Sequence, residues 1–127
     1  LKNWIQEVIR LNNYQTGHLS FVFCTDDYLL EVNKKFLKHD YYTDIITFDY
    51  NESTILSGDF IISIDRVKEN ALIHQCAFHT ELYRVIIHGV LHLLGFSDKT
   101  ETQQKIMREL EDRYLAQYSE YQQQMNK

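Results

Sequence analysis

Residues 84–99 read Arg84-Val85-Ile86-Ile87-His88-Gly89-Val90-Leu91-His92-Leu93-Leu94-Gly95-Phe96-Ser97-Asp98-Lys99. The seven aliphatic residues among them fall on nearly every side of a helical wheel, which predicts a buried helix over about Thr80 to Leu94. Within it His88 and His92 are four positions apart, so the two imidazoles face the same way with Cβ atoms about 6 Å apart. Such a pair can share one cation. Tetrahedral zinc takes His nitrogens at about 2.0–2.1 Å, and a catalytic site keeps three protein ligands and one open position. Gly95 suits a left-handed helix end that reverses the chain, which would carry Asp98 back toward the histidines. No His follows His92, so Asp98 is the local candidate for the third ligand.

A blander reading stands beside this one. Histidines in so apolar a helix also serve as satisfied core residues, and Asp is a favoured N-cap. The next helix, however, has its own capping box in Thr100 and Gln103, which leaves Asp98 free to coordinate. Gly89 costs a helix interior roughly 1 kcal/mol relative to Ala, and close approach of a ligand or another backbone beside His88 would explain it. The spacing His-x-x-x-His-x-x-Gly-x-x-Asp resembles metzincin proteases, but Gly89 stands where their general-base Glu follows the first His. Peptide hydrolysis by that mechanism is therefore not expected.

Outward from this segment, Trp4, Ile5, Val8, Ile9 and Leu11 mark an amphipathic helix over residues 1–14. Gly17 breaks the pattern, and Leu19 to Thr25 reads as a strand buried on both faces. A helix capped by Thr25 or Asp26 follows, with Leu29, Leu30, Val32 and Phe36 as its apolar side and Lys34, Lys35, Lys38 and His39 at its basic end. Asp44 to Tyr50 and Asp59 to Ile64 read as two strands of a hairpin. A helix begins at Asp65, with Val67, Ala71 and Leu72 as its apolar residues. The last runs from Glu101 to about Tyr118, with Ile106, Met107, Leu110 and Tyr114 on one side. The polar residues 119–127 are expected to fray.

Composition sets the outer bounds. The chain has 127 residues, 44% hydrophobic and 24% charged, which fits one domain spanning 1–127. A net charge of −5 argues against coating nucleic acid by bulk charge, so RNA contacts must be local. Cys24 and Cys76 form no ladder and no Cys-x-x-Cys pair, which predicts a reducing, cytoplasmic setting. No apolar run approaches the roughly 20 residues of a membrane span. The chain opens at Leu1 inside a helical pattern, which predicts residues upstream. There is no proline, and only 4 glycines.

The segment His88 to Asp98 resembles the signature of the YbeY family of bacterial metal-dependent endoribonucleases, His-Gly-x-Leu-His-Leu-x-Gly-Tyr-Asp-His. Asp40 with Thr43 to Phe48 resembles the family's Asp-x-Pro-Thr-Asp-Val-Leu-Ser-Phe, Gly58 to Ser63 resembles its Gly-Asp-Ile strand, and Met107 falls on its last-helix methionine. The resemblance covers about residues 19–115. It implies an α+β domain, a small mixed β-sheet packed against several helices with a buried central His-bearing helix, and one Zn2+ held in a cleft by His88, His92 and Asp98.

It further implies a single-strand-specific endoribonuclease of rRNA maturation, acting in small-subunit 3′-end processing and ribosome quality control. RNA and the small subunit or its proteins would be partners, with no DNA and no membrane. His88 and His92 are the expected catalytic residues. Three departures stand out: Asp98 replaces the usual third His, Leu37 stands where relatives carry an arginine, and the strand that usually precedes the first helix is missing. Lys34, Lys35, Lys38 and Arg84 are the candidate RNA contacts, and Asp44 and Asp59 the candidate proton acceptors. A non-catalytic ribosome-assembly protein with a structural metal, and a small-molecule metallohydrolase, are the competing functions.

Overall fold

The computed structural model describes the backbone of residues 1–125 and the side chains of 1–119. Its elements run α1 (Lys2–Leu11), β1 (Gln15–Cys24), α2 (Asp26–Leu37), β2 (Ile45–Asp49), β3 (Ile55–Ser63), α3 (Ile64–Ile73), α4 (Phe78–Leu93) and α5 (Glu101–Met125). The three strands form one mixed sheet in the order β1-β3-β2. β3 pairs parallel with β1 and antiparallel with β2. The α+β architecture is the expected one.

Packing explains which residues face inward. Phe60 and Ile62 of β3 are fully buried, as are Ile87, Val90 and Leu91 of α4. These residues form the main core together with Trp4, Ile5, Val8 and Ile9 of α1 and Met107, Tyr114 and Tyr118 of α5. Trp4 cannot bury its indole N–H without an acceptor, and it donates to the Tyr114 carbonyl at 3.0 Å, fastening α1 to α5. α4 is central as predicted, and its two histidines lie on the part of its surface turned away from that core.

Several expectations are corrected. β1 is an edge strand, not one buried on both faces: Val22 and Phe23 are exposed, while Leu19 and Phe21 pack on the core. Val22 and Phe23 are consecutive and point to opposite faces, so both faces are open at this end of the strand. Gly17 does not end a helix-to-strand break. It lies inside β1, where the register shifts between Thr16 and Leu19, and a Cβ there would stand 2.2 Å from Ser57 Oγ. Leu72 is 78% exposed and Ile106 45%, so neither belongs to the apolar face expected of its helix. Helix α5 continues to Met125, beyond the boundary expected near Tyr118. Asn126 and Lys127 lie outside the described residues.

Candidate metal centre

Helix α4 ends just where its histidines need a partner. The Gly95 amide donates to the His92 carbonyl and the Phe96 amide to the Leu91 carbonyl, both at 3.0 Å. Gly95 has φ +105°, a conformation that L side chains rarely adopt, so glycine permits this reversal. Asn51, from the β2–β3 loop, donates its side-chain amide to the Leu93 carbonyl at 2.9 Å and accepts from the Ser57 amide at 2.8 Å. The end of α4 is thereby tied to the hairpin. The reversed chain carries Asp98 back over the last turn, and the Thr100–Gln103 capping box forms without it.

Three donor atoms converge. His92 Nε2 lies 3.0 Å from His88 Nε2, and Asp98 Oδ2 lies 3.5 Å from His88 Nε2 and 3.4 Å from His92 Nε2. Ligands bonded at about 2.05 Å around a tetrahedral ion sit about 3.4 Å apart, so these spacings fit a single small divalent cation. His88, His92 and Asp98 form a group able to hold a metal ion. A cleft of about 550 Å³ opens beyond the ligands and is lined also by Asp44, Asp49, Leu37, His39 and Tyr41. Substrate can therefore reach the coordination side.

Support comes from α5. Glu111 is 6% exposed and its Oε2 accepts from His88 Nδ1 at 2.7 Å. Donation through Nδ1 fixes the tautomer that leaves the Nε2 lone pair facing the other two donors. The second Glu111 oxygen accepts from Arg84 at 3.0 Å, and Arg84 also pairs with Asp112 at 2.8 Å. Arg84 thus faces α5, with its charge matched inside the fold.

Electrostatics follow from this packing. Burial opposes charge on the His88 ring, but the hydrogen bond and charge of Glu111, with Asp44 and Asp98 behind it, outweigh burial and hold the imidazole above its ordinary range. Burial pushes the Asp44 carboxyl up, against the pull of His88 and of the Asp44 and Ile45 amides.

The other expected residues divide clearly. Asp44 lines the cleft, whereas Asp59 sits within β3, opposite Ser20 and Phe48. Lys34 lies 3.6 Å from Asp40 and Lys35 covers the Phe36 ring, both on α2 beside the cleft. Lys38 caps α2 in the left-handed conformation. Gly89 does make a close approach, but to side chains of the sheet: a Cβ there would stand 2.7 Å from Ile45 Cδ1 and 2.9 Å from Phe60 Cδ1.

Sequence reasoning missed Glu111 and Arg108. An acid one turn after Met107 and one before Tyr114, on the inward face of α5, was the available signal for the first. Arg108 lines two smaller cavities beside the centre, one shared with His88, Asp98 and Glu111 and the other with Asp44, His88 and Glu111. Among the described residues no carboxylate pairs with it.

Residues 1–119 match the family model described as Endoribonuclease YbeY. The chain belongs to the endoribonuclease YbeY family. It is 48% identical over 116 residues to Endoribonuclease YbeY of Parabacteroides distasonis, covering 91% of this chain and 82% of that protein. The Endoribonuclease YbeY of Karelsulcia muelleri is 50% identical over 112 residues, or 88% of this chain and 79% of the relative. A Thermotoga maritima protein solved in solution superposes with a TM-score of 0.68 at 27% identity, covering 97% of this chain and 82% of that one. As a member of the YbeY family the chain is a nuclease, a hydrolase of phosphodiester bonds.

Proposed function

We propose that the protein is a zinc-dependent endoribonuclease that cuts single-stranded RNA during maturation of small-subunit ribosomal RNA, with His88, His92 and Asp98 as the metal ligands. The observation that carries this reading is the convergence of two Nε2 atoms and one carboxylate oxygen at 3.0–3.5 Å on the floor of an open cleft. A structural metal is usually closed off by four protein ligands, whereas three ligands beside an open cleft suit catalysis.

When bound, the ion supplies Lewis acidity to a phosphoryl oxygen and to the attacking water. The chain supplies the rest. Glu111 and Arg84 hold His88 in register. Asp44 lines the cleft in place of the glutamate a protease would carry after its first His, and its raised affinity for a proton suits transfer at the carboxylate oxygens. Gly89 cannot fill that role.

Lys34, Lys35 and Lys38 on the α2 side, and Arg108 on the α5 side, attract phosphates locally, which reconciles RNA binding with a net charge of −5. Leu37 contributes an apolar wall to the cleft, and Arg108 lies on the other side of the centre, in the smaller cavities it shares with His88 and Glu111.

Cleavage of a labelled single-stranded RNA and of its duplex, with and without chelator, tests this reading. Metal-dependent cutting of the single strand is expected, with the duplex resistant. Bound metal without cleavage, in a preparation free of contaminating nuclease, would favour a ribosome-assembly role instead.

A further inference from the structure

The wall of the cleft nearest the sheet edge is aromatic, although its substrate is polyanionic. Among the described residues neither Lys nor Arg lines the cleft, while His39 and Tyr41 do. Their rings are stacked, with centroids 5.1 Å apart and planes within 20°, and the Tyr41 hydroxyl lies 3.0 Å from His39 Nδ1. Tyr41 is nonetheless 56% exposed. The pair is a two-ring stack with an open face.

The segment carrying this stack is anchored at several points. Lys38 ends α2 in the left-handed conformation, and the His39 amide donates to the Asn33 carbonyl at 3.1 Å. Asn33 is 1% exposed, a buried amide that needs a partner, and its Nδ2 donates to the Tyr41 carbonyl at 2.9 Å. The Tyr42 hydroxyl donates to Asp27 at 3.2 Å. The Asp44 carbonyl accepts from the Ser63 amide at 2.9 Å. The backbone on both sides of Tyr41 is therefore fixed, while among the described aromatic residues its ring stacks on His39 alone. Ordering cost on binding is reduced because the rings are already placed.

We propose that His39 and Tyr41 form a base-stacking subsite, on which an unpaired nucleobase of the RNA strand extends the two-ring stack next to the metal centre. Resting on the nuclease reading above, this names what selects single strands. A paired base is already stacked within its helix and cannot lie on Tyr41, whereas an unpaired one can. Stacking is tolerant of base identity because every base has a π face. It also explains how an acidic protein holds RNA in a cleft whose described lining carries neither Lys nor Arg. Strand selection then comes from ring contact, and phosphate attraction is left to the lysines of α2 and to Arg108.

The test separates stacking from cleavage by using metal-free protein and a short single-stranded RNA, with binding followed by fluorescence anisotropy. Tyr41→Ala is expected to weaken binding about tenfold, within the range found for single stacked bases, while Tyr41→Trp retains it. The salt dependence should keep its slope, since no cation is removed. Replacing nucleotides one at a time by abasic residues should reveal one position at which the loss caused by Tyr41→Ala disappears. Thermal melting of the variants should match the parent, because Asn33 bonds the Tyr41 backbone and not its ring. Equal binding by Tyr41→Ala and the parent would overturn the proposal, as would an undiminished effect of Tyr41→Ala at every abasic position. Failure of the nuclease reading alone would look different: stacking-dependent binding would persist without metal-dependent cleavage.

Discussion

Replacing Gly89 by alanine sets helix propensity against packing, and the structure decides which wins. In a helix interior Ala is favoured over Gly by about 1 kcal/mol. At this position the new Cβ would stand 2.7 Å from Ile45 Cδ1 and 2.9 and 3.1 Å from two atoms of the Phe60 ring. Ile45 can swing its terminal methyl aside. Phe60 cannot yield, since it is fully buried and stacked on Phe21 with centroids 4.6 Å apart and planes within 8°. Overpacking of a tight core costs about 1–3 kcal/mol, so Gly89→Ala should be destabilised by about 0–2 kcal/mol net. For a domain of this size, 1 kcal/mol is a fall in Tm of about 3–5 °C. Urea unfolding of the metal-free protein, followed by fluorescence of the buried Trp4, measures it. A variant more stable than the parent by about 1 kcal/mol, the propensity value alone, would refute the packing argument.

Three further outcomes follow from named contacts. Glu111→Gln should weaken metal affinity by about 10–100-fold in a chelator competition, because the charged acceptor that orients His88 is lost; unchanged affinity would show that His88 needs no such support. Asn51→Ala should lower stability by about 1–3 kcal/mol in denaturant unfolding, since the buried Leu93 carbonyl and the Ser57 amide each lose a partner. Burial, reinforced by the charges of Asp26 and Asp65, pushes the Cys24 thiol up. Its thiolate fraction at neutral pH is therefore below that of a free cysteine. Iodoacetamide should label it more slowly than a cysteine peptide at neutral pH, with the rate still rising where the peptide's has levelled off.

The grouping of His88, His92 and Asp98 was legible in the sequence because the three lie within one helix and one turn. His88 and His92 share a face by helical spacing, and Gly95 announces the reversal that returns Asp98. What was hidden depends on partners distant along the chain. Glu111 meets His88 across two helices, so its role could not be read from either segment alone. The apolar run of β1 gave no sign that it would lie at the sheet edge, which is set by its pairing with β3 alone. Leu72 and Ile106 have the right type for a core, but the orientation of their helices turns them outward. Gly89 signalled a close approach correctly in kind, but it is sheet side chains that come close, not a ligand or another backbone.

The most direct test of the central claim is metal content per chain, measured by mass spectrometry on the purified protein and on His88→Ala, His92→Ala and Asp98→Ala, alongside cleavage of single-stranded RNA. One zinc per chain in the parent is predicted, lost together with cleavage in the histidine variants and weakened in Asp98→Ala. A parent that binds no divalent metal, or variants that cut RNA as fast as the parent, would contradict the account.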